Sequence, residues 1–286
     1  MNKNFLARVQ KYQDLTFRFK SSLRLKSAKE AIRFVEERGF VFFWPVKGTI
    51  MPSLWGAVAG DRPVPDEHDD PGHITWRWKD ELLDQKVWYY ARILRKRNTI
   101  VSLKTIPYFY ALSANYGDPE AEIVEGYRQG LIPLEVKTIF NTLQVKGALD
   151  SITLRRESHL SGPQSNGPFN RALDFLQKEF KVLPVAVAEA GAWHYAFVYD
   201  LTHRYYPKLL EQSRTISEVV ARNELLRLYL KSVGAASTRQ IRSLFGWTED
   251  DSVKTLMRLQ DTGSIIFPLK IEGSDAATAC LPDLVS

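Results

Sequence analysis

Between Phe169 and Pro207 the spacing of apolar residues changes from helical to strand-like. Phe169, Ala172, Leu173, Leu176 and Phe180 recur at helical intervals, with Arg171, Asp174, Gln177 and Lys178 on the other faces, and Pro168 suits a first turn. From Val182 the pattern is that of a strand: VLPVAVAEA, a turn at Ala190-Gly191-Ala192, then WHYAFVYDL. A helix that runs into a hairpin is the second half of a winged helix. Upstream, Val136, Ile139, Phe140 and Leu143 form a helical stripe ended near Gly147, and Asp150 to Ser158 reads as a short second helix.

The pattern then repeats. Ser217 caps a helix with Leu225, Leu226, Tyr229, Leu230 and Val233 on its buried side, ended by Gly234. Ser237 to Gln240 is a capping box for a helix that stops at Gly246. Thr248 opens a third helix with Val253, Leu256, Met257 and Gln260 at core spacing, followed by a strand at Ser264 to Phe267. The acidic start of that third helix, Thr248-Glu-Asp-Asp251, would repel phosphate, so this copy is expected to pack on its neighbours.

The first part of the chain is less regular. Phe5, Leu6, Val9 and Tyr12 suit a core helix better than an organelle presequence. Ser27 to Glu30 is a capping box, Ile32, Phe34 and Val35 give an apolar face, Gly39 ends the helix, and Phe40 to Trp44 reads as a strand closed by Pro45. Residues 47 to 83, rich in Pro, Gly and Trp, read as a long ordered loop, the kind that usually serves a function. After it come an aromatic run, the basic segment RILRKR and the strand-like TIVSL. Asn115 to Pro119 is a turn cluster and AEIVEGYRQG a short acidic helix. The expected class is α+β with tandem winged-helix (helix-turn-helix) domains, three in number: residues 1–130 with a long aromatic and acidic insertion, 131–212, and 213–286.

In this fold the helix before the hairpin normally enters the major groove and the hairpin lies against the backbone, so DNA is the expected partner. A net charge of +6 at neutral pH and a pI near 9.2 favour an anionic ligand mildly. The distribution says more. Residues 1–47 hold eleven basic side chains against four acidic ones, and residues 86–104 hold six with no acid, whereas residues 234–286 hold seven acids against five bases. The single cysteine, Cys280, excludes an intrachain disulfide framework and a Cys-rich zinc site, and fits a reducing cytoplasm. No stretch spans a membrane, and Gly162 to Gly167 lacks the ending of a phosphate-binding P-loop, so neither a cofactor nor a resident metal is expected.

Candidate chemistry gathers in the first part. Asp69, Asp70 and His73 crowd together in the acidic loop, where they could supply a general base or hold a divalent ion; the alternative is a solvated turn shaped by Pro71-Gly72. Trp44, Trp76 and Trp78 are candidates to stack on an extruded base, against the ordinary role of filling a core. Arg92, Arg95, Lys96 and Arg97 could track a DNA backbone or form a solvated turn, and Arg155, Arg156 and Arg171 fall on the second and third helices of the middle module, where phosphate contacts are expected.

Three segments carry a resemblance. RALDFLQ followed by VYDLTHRYYP, the run ARNELLRLYLKSVGAASTRQIRSLFGW, and the helix-to-strand step GFVFFWPV resemble the AlkZ and YcaQ DNA glycosylases, bacterial tandem winged-helix proteins that excise bulky alkylated or crosslinked bases. The resemblance spans most of the chain apart from residues 48–130. It implies DNA binding. The family's catalytic Gln-x-Gln or Gln-x-Asp pair matches Phe42 and Trp44 here, and neither ring can orient a water through lone pairs. The resemblance therefore implies a DNA-binding protein for damaged or distorted DNA. Two alternatives stay open: a glycosylase with a different active site, or a protein-interaction scaffold.

Overall fold

The computed structural model describes residues 3–113, 117–191, 194–271 and 276–285. The start of the expected turn at 115–119, and Ala192 and Trp193 at the middle hairpin, lie outside the described residues.

One order of elements occurs three times: helix, short strand, two helices, hairpin. The first set has helix Ala28–Arg38, β1 (Phe40–Phe42), helices Leu54–Ala59 and Ile74–Leu82, then β2 (Trp88–Leu94) and β3 (Arg97–Ser102). The second has helix Leu134–Lys146, β4 (Leu149–Asp150), helices Ser151–Glu157 and Asn166–Lys178, then β5 (Val182–Ala188) and β6 (Ala196–Leu201). The third has helix Glu218–Val233, β7 (Ala235–Ser237), helices Thr238–Phe245 and Glu249–Asp261, then β8 (Ile266–Leu269) and β9 (Thr278–Cys280). Each sheet is antiparallel, with the last strand of its set in the centre: β1-β3-β2, β4-β6-β5 and β7-β9-β8. The chain is an α+β protein of tandem winged-helix architecture.

Helix ends follow the side chains that satisfy their backbone. Ser217 and Thr248 accept from the backbone N–H groups of Val220 and Asp251, Ser237 and Gln240 form the reciprocal capping box, and Gly147 and Gly234 end their helices with positive φ. At Ser27 only half of the expected box forms, because Glu30 reaches past it to the N–H of Lys26.

Four expectations are corrected. Residues 47–83 are not one loop: Ser53 caps helix Leu54–Ala59, in which Leu54 and Trp55 are buried, and Asp70 caps a turn that leads into helix Ile74–Leu82, with the acidic loop between the two helices. The prolines sit before and between these short helices rather than in them, so composition conceals the helices. Phe180 lies beyond its helix at a left-handed φ of 53°. The last helix buries Ser252, Thr255, Leu256 and Leu259, leaving Met257 at 56% exposure, and Gln260 is also exposed. In the first helix Phe5 and Val9 are buried and Leu6 is exposed.

The main core is continuous across the repeats, joining Phe40 and Tyr89 of the first set, Leu183 and Val185 of the second, and Leu225, Tyr229 and Leu256 of the third. Helix Lys3–Thr16 packs on the third set, where Phe5 and Val9 meet Ala235, Cys280 and Leu284. Tyr12, Gln13 and Thr16 donate side-chain hydrogen bonds of 2.7, 2.8 and 2.7 Å to the carbonyls of Lys231, Val233 and Ser232 at the end of helix Glu218–Val233.

Candidate nucleic-acid interface

The hairpin β2–β3 turns through two residues, Arg95 and Lys96, between the paired Leu94 and Arg97. Their φ angles are 51° and 55°. Left-handed φ at both central positions marks a type I′ turn, which normally takes Asn-Gly, and L side chains there cost about 1–2 kcal/mol per residue. The turn sets Arg95, Lys96 and Arg97 out in solvent at its tip. Behind the tip the register slips by one, so that Arg92 and Ile93 together oppose Asn98. Bulges of this kind re-aim side chains.

Arg92 ties this hairpin to helix Asn166–Lys178. Its Nη1 donates to Asp174 Oδ1 at 2.7 Å, its Nε to Asn98 Oδ1 at 3.3 Å, and its backbone N–H to the Oε1 of buried Gln177 at 3.2 Å. Burial opposes the guanidinium charge, and the hydrogen bond and charge of Asp174, joined by Tyr199 and Tyr90, together outweigh it and hold Arg92 above its ordinary pKa. The result is a cleft of about 690 Å³. Lys47, Arg95, Lys96 and Arg97 line it with Trp44 and Asn98, and Asp174 is the one carboxylate among its described lining residues.

Of the two positions matched to the family's catalytic pair, Phe42 is sealed in the core at 1% exposure and Trp44 borders the cleft. Trp44 meets Trp76 edge-on with centroids 5.6 Å apart, and Trp76 is 40% exposed. Trp78, expected as a stacking ring, is only 4% exposed within the core and has no face for a base.

The acidic loop forms a separate place. Asp70 accepts from Arg62 at 2.7 and 2.9 Å and from the backbone N–H of Gly72 at 2.7 Å. The Arg62 hydrogen bond holds this carboxyl below its usual pKa, which suits a turn-former more than a proton acceptor near neutrality. His73 leans on Trp76 at 5.4 Å, Asp69 is exposed, and Asp70 and His73 line an open depression with Trp76 and Arg77. The structure does not bring these residues into the cationic cleft. Among the described residues no cluster of three or more His, Cys, Asp or Glu could hold a metal ion.

In the middle module Arg155 is a brace: it donates to Asn166 at 2.8 Å and Asn170 at 3.2 Å and lies 4.0 Å over Phe169. Arg156 is exposed and bonds Glu157, and Arg171 is exposed one helical turn before Asp174, on the same side. The hairpin β5–β6, expected against DNA, is folded down on the first module. Lys79, 1% exposed, lies 4.4 Å over Phe197 and donates to the Tyr195 hydroxyl at 2.6 Å, and that hydroxyl donates to Asp80 at 3.0 Å. A larger cleft, about 1080 Å³, holds Arg239, Arg242 and Trp247 in the third set, but Arg242 is engaged by Glu249 at 3.0 Å.

Trp44, Arg92, Arg95, Lys96 and Arg97 stand out in the sequence and come together in the cleft, whereas Lys47, Asn98, Asp174 and the Lys79 clamp do not stand out there. Asp174 and Gln177 carry no local signal, since a polar pair three residues apart is the ordinary look of a solvated helix face. No helix among the described residues is long and apolar enough to cross a membrane.

No curated protein matches the chain significantly. Among solved structures, the DNA glycosylase AlkZ of Streptomyces sahachiroi is similar in fold, with a TM-score of 0.61 and 13% identity over 100% of this chain and 71% of that one. The sequence model of the AlkZ-related family matches residues 25–246, and the protein belongs to the AlkZ-related family.

Proposed function

We propose that this protein binds DNA through the cationic cleft between hairpin β2–β3 and helix Asn166–Lys178, and that it recognises damaged or distorted DNA. The observation that carries this is the turn itself: Arg95 and Lys96 occupy left-handed positions that disfavour them. Backbone strain of this kind concentrates at binding sites, where surrounding structure holds it. Lys47 and Arg97 extend the charge, Trp44 offers an apolar wall, and Arg171 continues the charged side of the helix. The fold shared with a DNA glycosylase supports the same reading. In it, residues 1–130, 131–212 and 213–286 act as three modules on one core, the middle and first supplying the DNA surface. The lone cysteine, buried with its thiol pushed up to about 11, accords with work in the cytoplasm.

The test is fluorescence anisotropy on a labelled duplex across a salt series. Each phosphate contact contributes close to one unit to the slope of log affinity against log salt. Replacing Arg95, Lys96 and Arg97 together by Ala is expected to lower that slope by about 2–3 units. An unchanged slope would move the DNA surface elsewhere, and no binding by the intact protein at low salt would overturn the reading.

A further inference from the structure

We infer that a hollow between the first repeat and the segment joining the second repeat to the third is a binding site for a small aromatic carboxylate. The inference does not depend on the DNA reading, because the hollow shares no lining residue with the cationic cleft.

The hollow has a volume of about 300 Å³. Lys86 precedes β2, Leu103 and Ile106 follow β3, and the rest of the lining comes from residues 205–212, between β6 and helix Glu218–Val233. Ile106 and Leu209, each 3% exposed, form the floor, and Tyr205, Tyr206 and Pro207 form a wall. Both phenol hydroxyls are committed to backbone: Tyr205 donates to the carbonyl of Leu83 and Tyr206 to that of Trp88, each at 2.8 Å. What the wall offers a ligand is therefore ring carbon.

The mouth is different. Lys86, Lys208 and Gln212 are exposed there, and none of these side chains has a hydrogen bond or an ion pair to another described residue. No carboxylate is among the described lining residues. Lys86 lies 4.3 Å over the Tyr205 ring and holds a left-handed φ of 53°, a conformation that L side chains disfavour and that recurs at binding sites. Leu103, 39% exposed, leaves a further apolar side chain in water beside it.

An apolar interior under two unpaired ammonium groups selects an anion with an apolar body. Water inside finds few polar partners, so an apolar group that displaces it gains. The tyrosine wall favours an aromatic body through edge or offset contacts. The volume, at the small end of ligand pockets, admits one ring system and excludes a long acyl chain. An inorganic anion gains little, because no side chain of the floor donates to it.

NMR titration of the full chain with phenylacetate, its neutral amide and inorganic phosphate tests the inference. Phenylacetate should bind about fivefold or more tightly than the amide and lose affinity as salt rises, while the amide does not. Phosphate should not displace it. Leu103→Glu, at an exposed position, sets a carboxylate at the mouth and should weaken phenylacetate about 10-fold. Lys86→Gly removes a cation and relaxes the strained turn, so phenylacetate should bind a few-fold more weakly while the protein melts no lower than before. Replacing Arg95, Lys96 and Arg97 by Ala should change nothing. No binding of phenylacetate up to about 10 mM, a limit that even modest efficiency in so small a ligand would meet, overturns the inference. Equal binding of acid and amide or displacement by phosphate also overturns it. So does an affinity that Leu103→Glu leaves unchanged or that the triple Ala variant abolishes, since either places the ligand elsewhere.

Discussion

Two hairpins built to one topology are used in opposite ways. In β2–β3 the tip is Arg95-Lys96, solvated, held in a turn that its residues disfavour, and open to a cleft. In β5–β6 the strands are pressed onto the first module, Phe197 against Tyr90, with Tyr195 and Phe197 enclosing Lys79. One hairpin sacrifices backbone stability for presented charge. The other spends its aromatic residues on fixing two modules relative to each other. A winged-helix topology therefore does not say which wing meets a ligand; side-chain chemistry at the tip and the burial of the strands decide it.

The comparison is most sharply broken at Lys79. Lys79→Ala removes a buried cation and leaves Asp80 and Tyr195 without it, so thermal or chemical unfolding should show a loss of about 3 kcal/mol, at the low end for a broken buried pair because Asp80 is partly solvated. DNA affinity should change far less than stability. Exchanging Arg95-Lys96 for Asn-Gly does the reverse. Stability should rise by about 1 kcal/mol as the turn relaxes, while two lost charges weaken DNA binding about 10-fold and flatten its salt dependence. If affinity survives this exchange, the strain has another cause.

Tyr195→Phe tests the clamp most gently, deleting one hydroxyl that both donates to Asp80 and accepts from Lys79, for a loss of about 1 kcal/mol or less given its partial exposure. Burial raises the Tyr195 phenol above its ordinary pKa, with the Asp80 charge adding to the effect. A raised phenol stabilises the fold below the unfolded pKa of about 10 and loses that contribution as pH rises above it. The stability gap between the intact protein and Tyr195→Phe should therefore narrow above pH 10. A gap that stays constant would mean that the phenol ionises equally in both states.

The sequence made the second and third repeats legible because their helices announce themselves. Ser217, Ser237, Thr248, Gly147 and Gly234 stand where orphaned backbone groups need partners, beside apolar stripes of helical period. The first repeat hides its second and third helices because they are six and nine residues long, too short for a stripe to stand out among prolines and glycines. The basic hairpin could be read as a charge run without its geometry, since no local rule places Arg95-Lys96 in a type I′ turn. Asp174 and Lys79 were beyond reach for a different reason: their environment is made by partners far away in the chain, Arg92 for one and Tyr195 with Phe197 for the other.

The bonds from Tyr12, Gln13 and Thr16 to the carbonyls of Lys231, Val233 and Ser232 have a consequence for the order of folding. The final turn of that helix leaves carbonyl groups without partners inside the helix, and residues from the opening helix supply donors to three of them. Helix Lys3–Thr16 thus finds its docking site more than 200 residues along the chain, at sequence separations of 216 to 220. Phe5 and Val9 stay uncovered until the third repeat has formed, and closing so long a loop places this contact late in folding.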